Sequence, residues 1–347
     1  MSMIVVIEGL PADETQKPEQ TSISKVIEWI NAQRYDLNRR DKCGRTALHL
    51  ACVCGITEVV DVLLRDAKIE VNTRDIKAGT PLHSAAFGGC SNVVTLLLRD
   101  GRPKFNLQDD TGSTPLALAA SQGHDKVVAT LLGLEGVEVN SRNKDGRTPL
   151  HLAAYMGRVA TTEALFRDKR VEVNLHDETG RTPLHSAAYQ GYSEVVAKLL
   201  DFKGVEVNLR CTINGKTALH FAAFSGVIQS VETLLRDKRV EVNPRDVRQH
   251  HALHDAAWRG QDDVVKALLR DSRVDRYAVD ESGRTALHFA ALGPPMFAGA
   301  AHPCEGFGRK IIDVNARQKV VTTLIGADGI DINSRDRSDI TPLHVAV

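Results

Sequence analysis

One eight-residue pattern returns along this chain at a fixed interval. Arg147-Thr148-Pro149-Leu150-His151-Leu152-Ala153-Ala154 comes back as Arg181-Thr182-Pro183-Leu184-His185-Ser186-Ala187-Ala188 and as Lys216-Thr217-Ala218-Leu219-His220-Phe221-Ala222-Ala223. The threonine, or the residue in its place, stands at 46, 80, 114, 148, 182, 217, 251, 285 and 341, so the step is 34 with one of 35 and a last of 56. A period of this size means stacked repeats. One such unit cannot bury its apolar face alone, and each packs mainly on its neighbours in sequence. The 347 residues therefore do not imply the two globular domains that length alone suggests.

Each unit reads the same way. Asp and Gly mark a turn, as in Asp41-Lys42-Cys43-Gly44, where glycine accepts a positive φ. Threonine caps the first helix with its hydroxyl, and proline follows at the first helical position, where no amide donor is needed. Leucine and the two alanines point into the stack. A second glycine, such as Gly157 or Gly191, ends the first helix. The second helix, for example Val195-Val196-Ala197-Lys198-Leu199-Leu200, has the apolar stripe of a helix packed on one side. A Val-Glu-Val-Asn link leads to the next turn. Its asparagine, at 72, 106, 140, 174, 208 and 243, is expected to tie adjacent turns by side-chain bonds to backbone, with Asp275 in its place in the next link.

The complete box Thr-Pro-Leu-His-x-Ala at Thr80 to Ala85, Thr148 to Ala153 and Thr182 to Ala187 resembles the ankyrin repeat, as do the downstream Glu58 to Leu64 and Glu70-Val71-Asn72. The resemblance covers roughly residues 22 to 347, with a unit one residue longer than the family's usual length of about 33. It implies an all-α ankyrin-repeat solenoid, helix-turn-helix units joined by β-turn or hairpin-like loops. Residues 1–21 read as a polar, disordered lead and 22–40 as a capping half-repeat, because Ile23 to Ile30 align with a second helix and Asn38 with Asn72. Seven regular repeats fill 41–279. The eighth, 280–335, has its second helix 22 residues late (56 against 34) and so carries a loop insertion over 292–318 with Pro294, Pro295 and Pro303. A functional insertion, a neutral excursion and an error in the gene reading all fit that stretch. The ninth, 336–347, stops after one turn of its first helix and reads as a truncated unit.

Composition excludes several classes. The 44 basic and 44 acidic residues balance, with a pI near 7.2, against a nucleic-acid or membrane-surface role. No run approaches the ~18 apolar residues of a membrane span. The six cysteines share no spacing and read as free thiols in a reducing compartment, cytoplasmic or nuclear. Of thirteen histidines, eight are the fourth residue of the box and read as structural, one per layer. His250-His251 with His254, and His302 with Cys304, form no recognised ligand set, so no metal and no cofactor is expected. There is no phosphate loop, no Gly-x-Ser-x-Gly elbow and no paired carboxylates, and the expectation is that the chain is not an enzyme. Asp66, Asp100, Asp168 and Asp237, which recur after the second helix, read as solvated ends with charge partners.

The informative positions are those that vary. In the resembled family, partners dock on the concave face made by the turn tips and the exposed side of the first helix. The residue after Ala-Ala belongs there: Val53, Phe87, Ser121, Tyr155, Tyr189, Phe224 and Trp258 in successive units, the last four an unbroken aromatic row. The row reads both as a binding surface and as interlayer packing. Just before the threonine position lie nine basic residues, among them Arg147, Arg181, Lys216 and Arg248, against four acidic ones, which suggests a mildly acidic partner. The expected function is a monomeric protein–protein interaction scaffold. The alternative is the recognition or regulatory segment of a longer receptor, channel or signalling protein.

Overall fold

The computed structural model describes residues 36–293 and 314–346, with Ile23, Ile27, Glu28 and Ile30 ahead of them. The disordered lead expected over 1–21 and most of the insertion, including His302, Pro303 and Cys304, lie outside the described residues. By its internal contacts the chain divides into two units, Met1–Glu172 and Val173–Val347. The first holds helices α1 (Ala47–Cys54), α2 (Thr57–Leu64), α3 (Pro81–Phe87), α4 (Ser91–Asp100), α5 (Pro115–Gln122), α6 (Asp125–Leu132), α7 (Pro149–Tyr155) and α8 (Val159–Phe166). The second holds α9 (Pro183–Gln190), α10 (Ser193–Asp201), α11 (Ala218–Ser225), α12 (Ile228–Arg236), α13 (Ala252–Trp258), α14 (Asp262–Arg270), α15 (Ala286–Leu292), α16 (Val314–Ile325) and α17 (Pro342–Ala346).

Within each unit first helices pack on first helices and second on second, from one repeat to the next. The box leucine and the alanine pair are buried in every described repeat up to Ala257, except that Cys52 replaces the second alanine in the first. Alanine leaves the helices close together, and the second helices add Val-Val-x-x-Leu, as in Val195, Val196 and Leu199, all fully buried. Among the described residues no strand forms. The connections are tight turns, and among the described residues the only β-type pairing is a single bridge between Val279 and Thr285. Adjacent turns are joined by single amide bonds: Lys144 N–H to Thr111 O at 2.9 Å in the first unit, Val247 N–H to Asn214 O at 3.0 Å in the second. Gly112 shows why glycine sits there, since its φ is +78° and an added Cβ would lie 2.9 Å from the Lys144 nitrogen.

A single repeat cannot satisfy its own backbone, and three kinds of side chain carry the surplus to the neighbour. The first is the box histidine. The Thr46 N–H donates to His49 Nδ1 at 3.1 Å, and a backbone amide can only donate, so Nδ1 is the bare nitrogen and Nε2 carries the hydrogen. That Nε2–H reaches Gly79 O in the next repeat at 3.2 Å. His83 does the same to Ser113 O, His220 to His250 O and His288 to Ile340 O, at 3.0–3.1 Å. The second is the link asparagine, whose amide bonds twice as expected: Asn72 Nδ2–H donates to Arg102 O at 3.0 Å and Oδ1 accepts from Lys104 N–H at 2.8 Å. Asn38 makes the same pair with Lys68 O and Glu70 N–H. Asp275 has no donor, and its Oδ1 accepts from the nearby Tyr277 N–H.

The third tie was not foreseen. Asp100, Asp168, Asp237 and Asp271 each pair with the arginine two residues on, and that arginine reaches back across the repeat boundary. Arg102 Nη2 donates to Leu64 O at 2.8 Å, Arg170 to Leu132 O at 2.7 Å and Arg273 to Leu235 O at 2.6 Å, and Arg239 bonds Leu200 O. Those carbonyls end second helices, where no amide of the same helix can serve them. The aspartates are thus anchors for an inter-repeat bond, more than solvated ends. Hydrogen bonds from their arginines hold all four carboxyls below the usual range.

The eighth repeat departs from expectation at one edge of its insertion. The second helix begins at Val314, so the stretch from 314 to 318, read as loop, is helical. Arg317 lies in it and donates to the carbonyls of Ala290 and Ala291 at the end of α15. Val320 and Leu324 are fully buried, and α16 packs on α14 and α15.

Two predictions follow from these turns and caps. Burial pushes His49, His83 and His220 below the ordinary histidine value, His185 down to about 3 and His254 to about 4. A second proton on Nδ1 would also face an amide donor. The folded pKa is below the unfolded one, so stability is complete above about pH 6.5 and is lost as the pH falls from there towards 4. By pH 5 the loss is about 2 kcal/mol for each of His185 and His254, whose folded values lie well below 5. Urea midpoints measured from pH 7 to pH 5 should fall steeply, and a flat profile would refute the assignment. Separately, Gln249 has φ +63° at the turn position that glycine holds in most repeats. Gln249→Gly is expected to raise stability by about 1 kcal/mol, read as a higher melting temperature.

Candidate functional site

The second unit contains a cleft of about 440 Å³ built at one register of successive repeats. Its floor is the residue after Ala-Ala: Tyr189 from α9, Phe224 from α11 and Trp258 from α13. Equal spacing in the sequence places these rings one layer apart, and they stack in series. Tyr189 and Phe224 lie 6.3 Å apart at 17°, and Phe224 and Trp258 6.2 Å apart at 24°. All three are half-buried. They are therefore both surface and interlayer packing, and truncating them costs stability as well as contact area. Phe221 meets Tyr189 edge-on at 6.1 Å, and Phe289 closes the far end beside His250 and His254 at 5.0 and 5.1 Å. Ile213 and Val247, 53% and 63% exposed at the turn tips, form an apolar lip.

Cations lie on these rings. Arg181 stands 4.5 Å from the Tyr189 centroid and 4.8 Å from that of Phe221. Lys216 is 5.6 Å and Arg259 4.6 Å from Phe224, and Arg284 is 4.9 Å from Phe289. Lys216 Nζ also donates to Asp255 Oδ1 at 2.7 Å, a pair in which Asp255 is buried and its Oδ2 has no partner. Asp246 accepts amide bonds from Arg248 and His250 at 2.8 Å each, with the His250 ring 3.4 Å away. Burial alone would raise the Asp246 carboxyl, but the His250 ring and amide outweigh it and bring it to about 2.

The four basic residues named from the sequence as candidate partner contacts, out of nine at the turn tips, thus divide. Arg181 is buried over two rings, Lys216 is taken up by Asp255, and Arg248 is exposed at the lip. Arg147 belongs to the first unit, half-buried with its guanidinium 4.7 Å from the Tyr155 ring, which is also half-buried. Phe87, also in the first unit, is 50% exposed. Only Arg248 of the four fits the description of a rim charge, because the other three spend their charge on aromatic faces or a buried carboxylate.

A model of the ankyrin repeats, in three copies, matches residues 20–109, 101–177, 163–246 and 193–278. The chain belongs to the ankyrin-repeat family. No curated protein matches it. Ankyrin repeats are generally protein–protein interaction modules and typically not enzymes. Among the described residues no helix is long and apolar enough to cross a membrane.

Among the cleft residues of this ankyrin array that escaped the sequence reading are Phe221, Asp255 and Phe289. They occupy the variable place inside the box, where other repeats have Leu50, Leu118, Leu152 or Ser186. The signal was present, since an aspartate at a place otherwise apolar or small asks for a buried partner. Separating Lys216 from Arg248 gives a direct check. Lys216→Ala leaves a buried carboxylate without its cation and is expected to cost about 3 kcal/mol. Arg248→Ala should stay within about 0.5 kcal/mol. Equal urea midpoints for the two variants would contradict this division.

Proposed function

We propose that the protein is an interaction scaffold whose docking site is the cleft over Tyr189, Phe224 and Trp258. The observation that carries this reading is the stacked row of half-buried aromatic rings flanked by the exposed apolar lip of Ile213 and Val247. Half-exposed aromatics beside a recess are the groups on which binding energy concentrates. The rings are held by each other and by their cations, so little ordering is lost when a partner arrives. In this reading the chain acts by recognition alone, as a monomer in the cytoplasm or nucleus, with a protein segment as its ligand and neither enzyme activity nor nucleic acid involved. Tyr155 with Arg147, and separately the exposed Phe87, offer further contacts in the first unit.

The test uses exposed residues, so that the fold is kept. Proteins captured from the soluble extract of the source cell are compared for the intact chain, Val247→Asp, Ile213→Asp and, as a control at an equivalent turn tip of the first unit, Ile76→Asp. Capture should weaken about thirtyfold, on the order of 2 kcal/mol, for the two cleft variants, and be unchanged for the control. Equal capture by all four proteins would place the site elsewhere.

A further inference from the structure

We infer that the partner segment joins large apolar side chains to carboxylates: the cleft is built for an acidic–apolar peptide. The inference rests on the cleft being the docking site, and it is carried by how the charges there are already committed.

An incoming cation would find nothing to bind. The aromatic faces that would attract it carry Arg181, Lys216 and Arg259 within 4.5–5.6 Å of the ring centroids. Neither carboxylate is open to it. Asp255 is held by Lys216, and its second oxygen is buried out of reach. Asp246 is buried and held by two amides and the His250 ring. Stacking of a nucleic-acid base is opposed as well, because Tyr189 and Phe224 already face neighbouring rings and cations.

An incoming carboxylate meets the opposite situation. Four cations line the cleft, Arg181, Lys216, Arg248 and Arg284, against two carboxylates. Among the described residues the Arg248 guanidinium has no carboxylate partner, and it stands exposed beside Val247, itself 63% exposed. A carboxylate on Arg248 and an apolar side chain on Val247, Ile213 and the rings below are therefore within reach of adjacent residues of one segment. A volume of about 440 Å³ accommodates one or two large side chains.

The experiment pans a random 12-residue phage library on the full chain, and enriched clones are resynthesised with a fluorescein label for polarisation measurements. The expected clones place Asp or Glu next to Trp, Phe or Leu. Their Kd should rise about tenfold with Arg248→Glu and again when salt goes from about 50 to about 300 mM. Clones that are neutral or basic, yet weakened by Val247→Asp, overturn the acidic chemistry and leave the cleft as the docking site. Clones indifferent to Val247→Asp overturn both. A labelled oligouridylate 12-mer that binds more tightly than the peptides, or a library that yields no binder, also overturns the inference.

Discussion

A neutral imidazole held between two repeats is the contact on which this stack depends. Its Nδ1 takes up an amide at the helix start, and its Nε2–H reaches a carbonyl of the next repeat. One side chain thus completes the cap of one unit and fixes the distance to the following one. Only histidine has an acceptor and a donor on opposite sides of a rigid ring in its neutral form. Glutamine shares the two functions but not the rigidity. The same ring cannot be charged, because the second proton would point at an amide donor. Burial and geometry therefore agree, and the fold accepts a sensitivity to acid that an array of leucines would not have.

Fixed spacing has a consequence for function. Because each repeat repeats the backbone of the one before, residues at one box position fall above one another at a constant distance. A row of aromatics at that position becomes a stack without further design, as Tyr189, Phe224 and Trp258 show. The cations follow by the same rule, since Arg181 and Lys216 both precede the threonine of their own repeat. The cleft is thus a property of register, and its chemistry is set one residue at a time.

What was legible in the sequence follows this line. The box, its caps, the asparagine tie and the aromatic row are all carried by position within one unit, and a period of 34 exposes them. The arginine tie was hidden for a different reason. Asp100-Gly101-Arg102 reads locally as a polar helix end, and its purpose lies in Leu64 O, 38 residues earlier. Asp255 was missed in the same way, because its partner Lys216 sits 39 residues back. Sequence periodicity shows which residues are equivalent; it does not show which non-equivalent residues meet across the boundary. The setting of the basic residues was hidden on the same account, since an arginine before a threonine looks exposed until an aromatic ring is found beneath it.

One repeat stands apart in how many rules it breaks. Between Asp246 and Asp275 the turn glycine is Gln249 at a positive φ, and the capping threonine is His251, whose ring nitrogens are buried without partners. The box carries Asp255 where other repeats are apolar or small, and the link ends in Asp275, which cannot donate to the next repeat. Ala78 in the first unit is also at positive φ, but in a repeat whose box is complete. Each such departure costs of order 1 kcal/mol where it occurs. The neighbouring repeats can bear this, because stability in a stack is shared through interfaces. Yet this same repeat supplies Asp246, Val247, Arg248, His250, Asp255 and Trp258 to the cleft, more than any other. Local consistency is given up where something other than folding is being selected. On the proposed function, the concentration of broken rules and of cleft residues in one repeat has one physical reading: this repeat is shaped for its ligand, and the regular ones hold it in place.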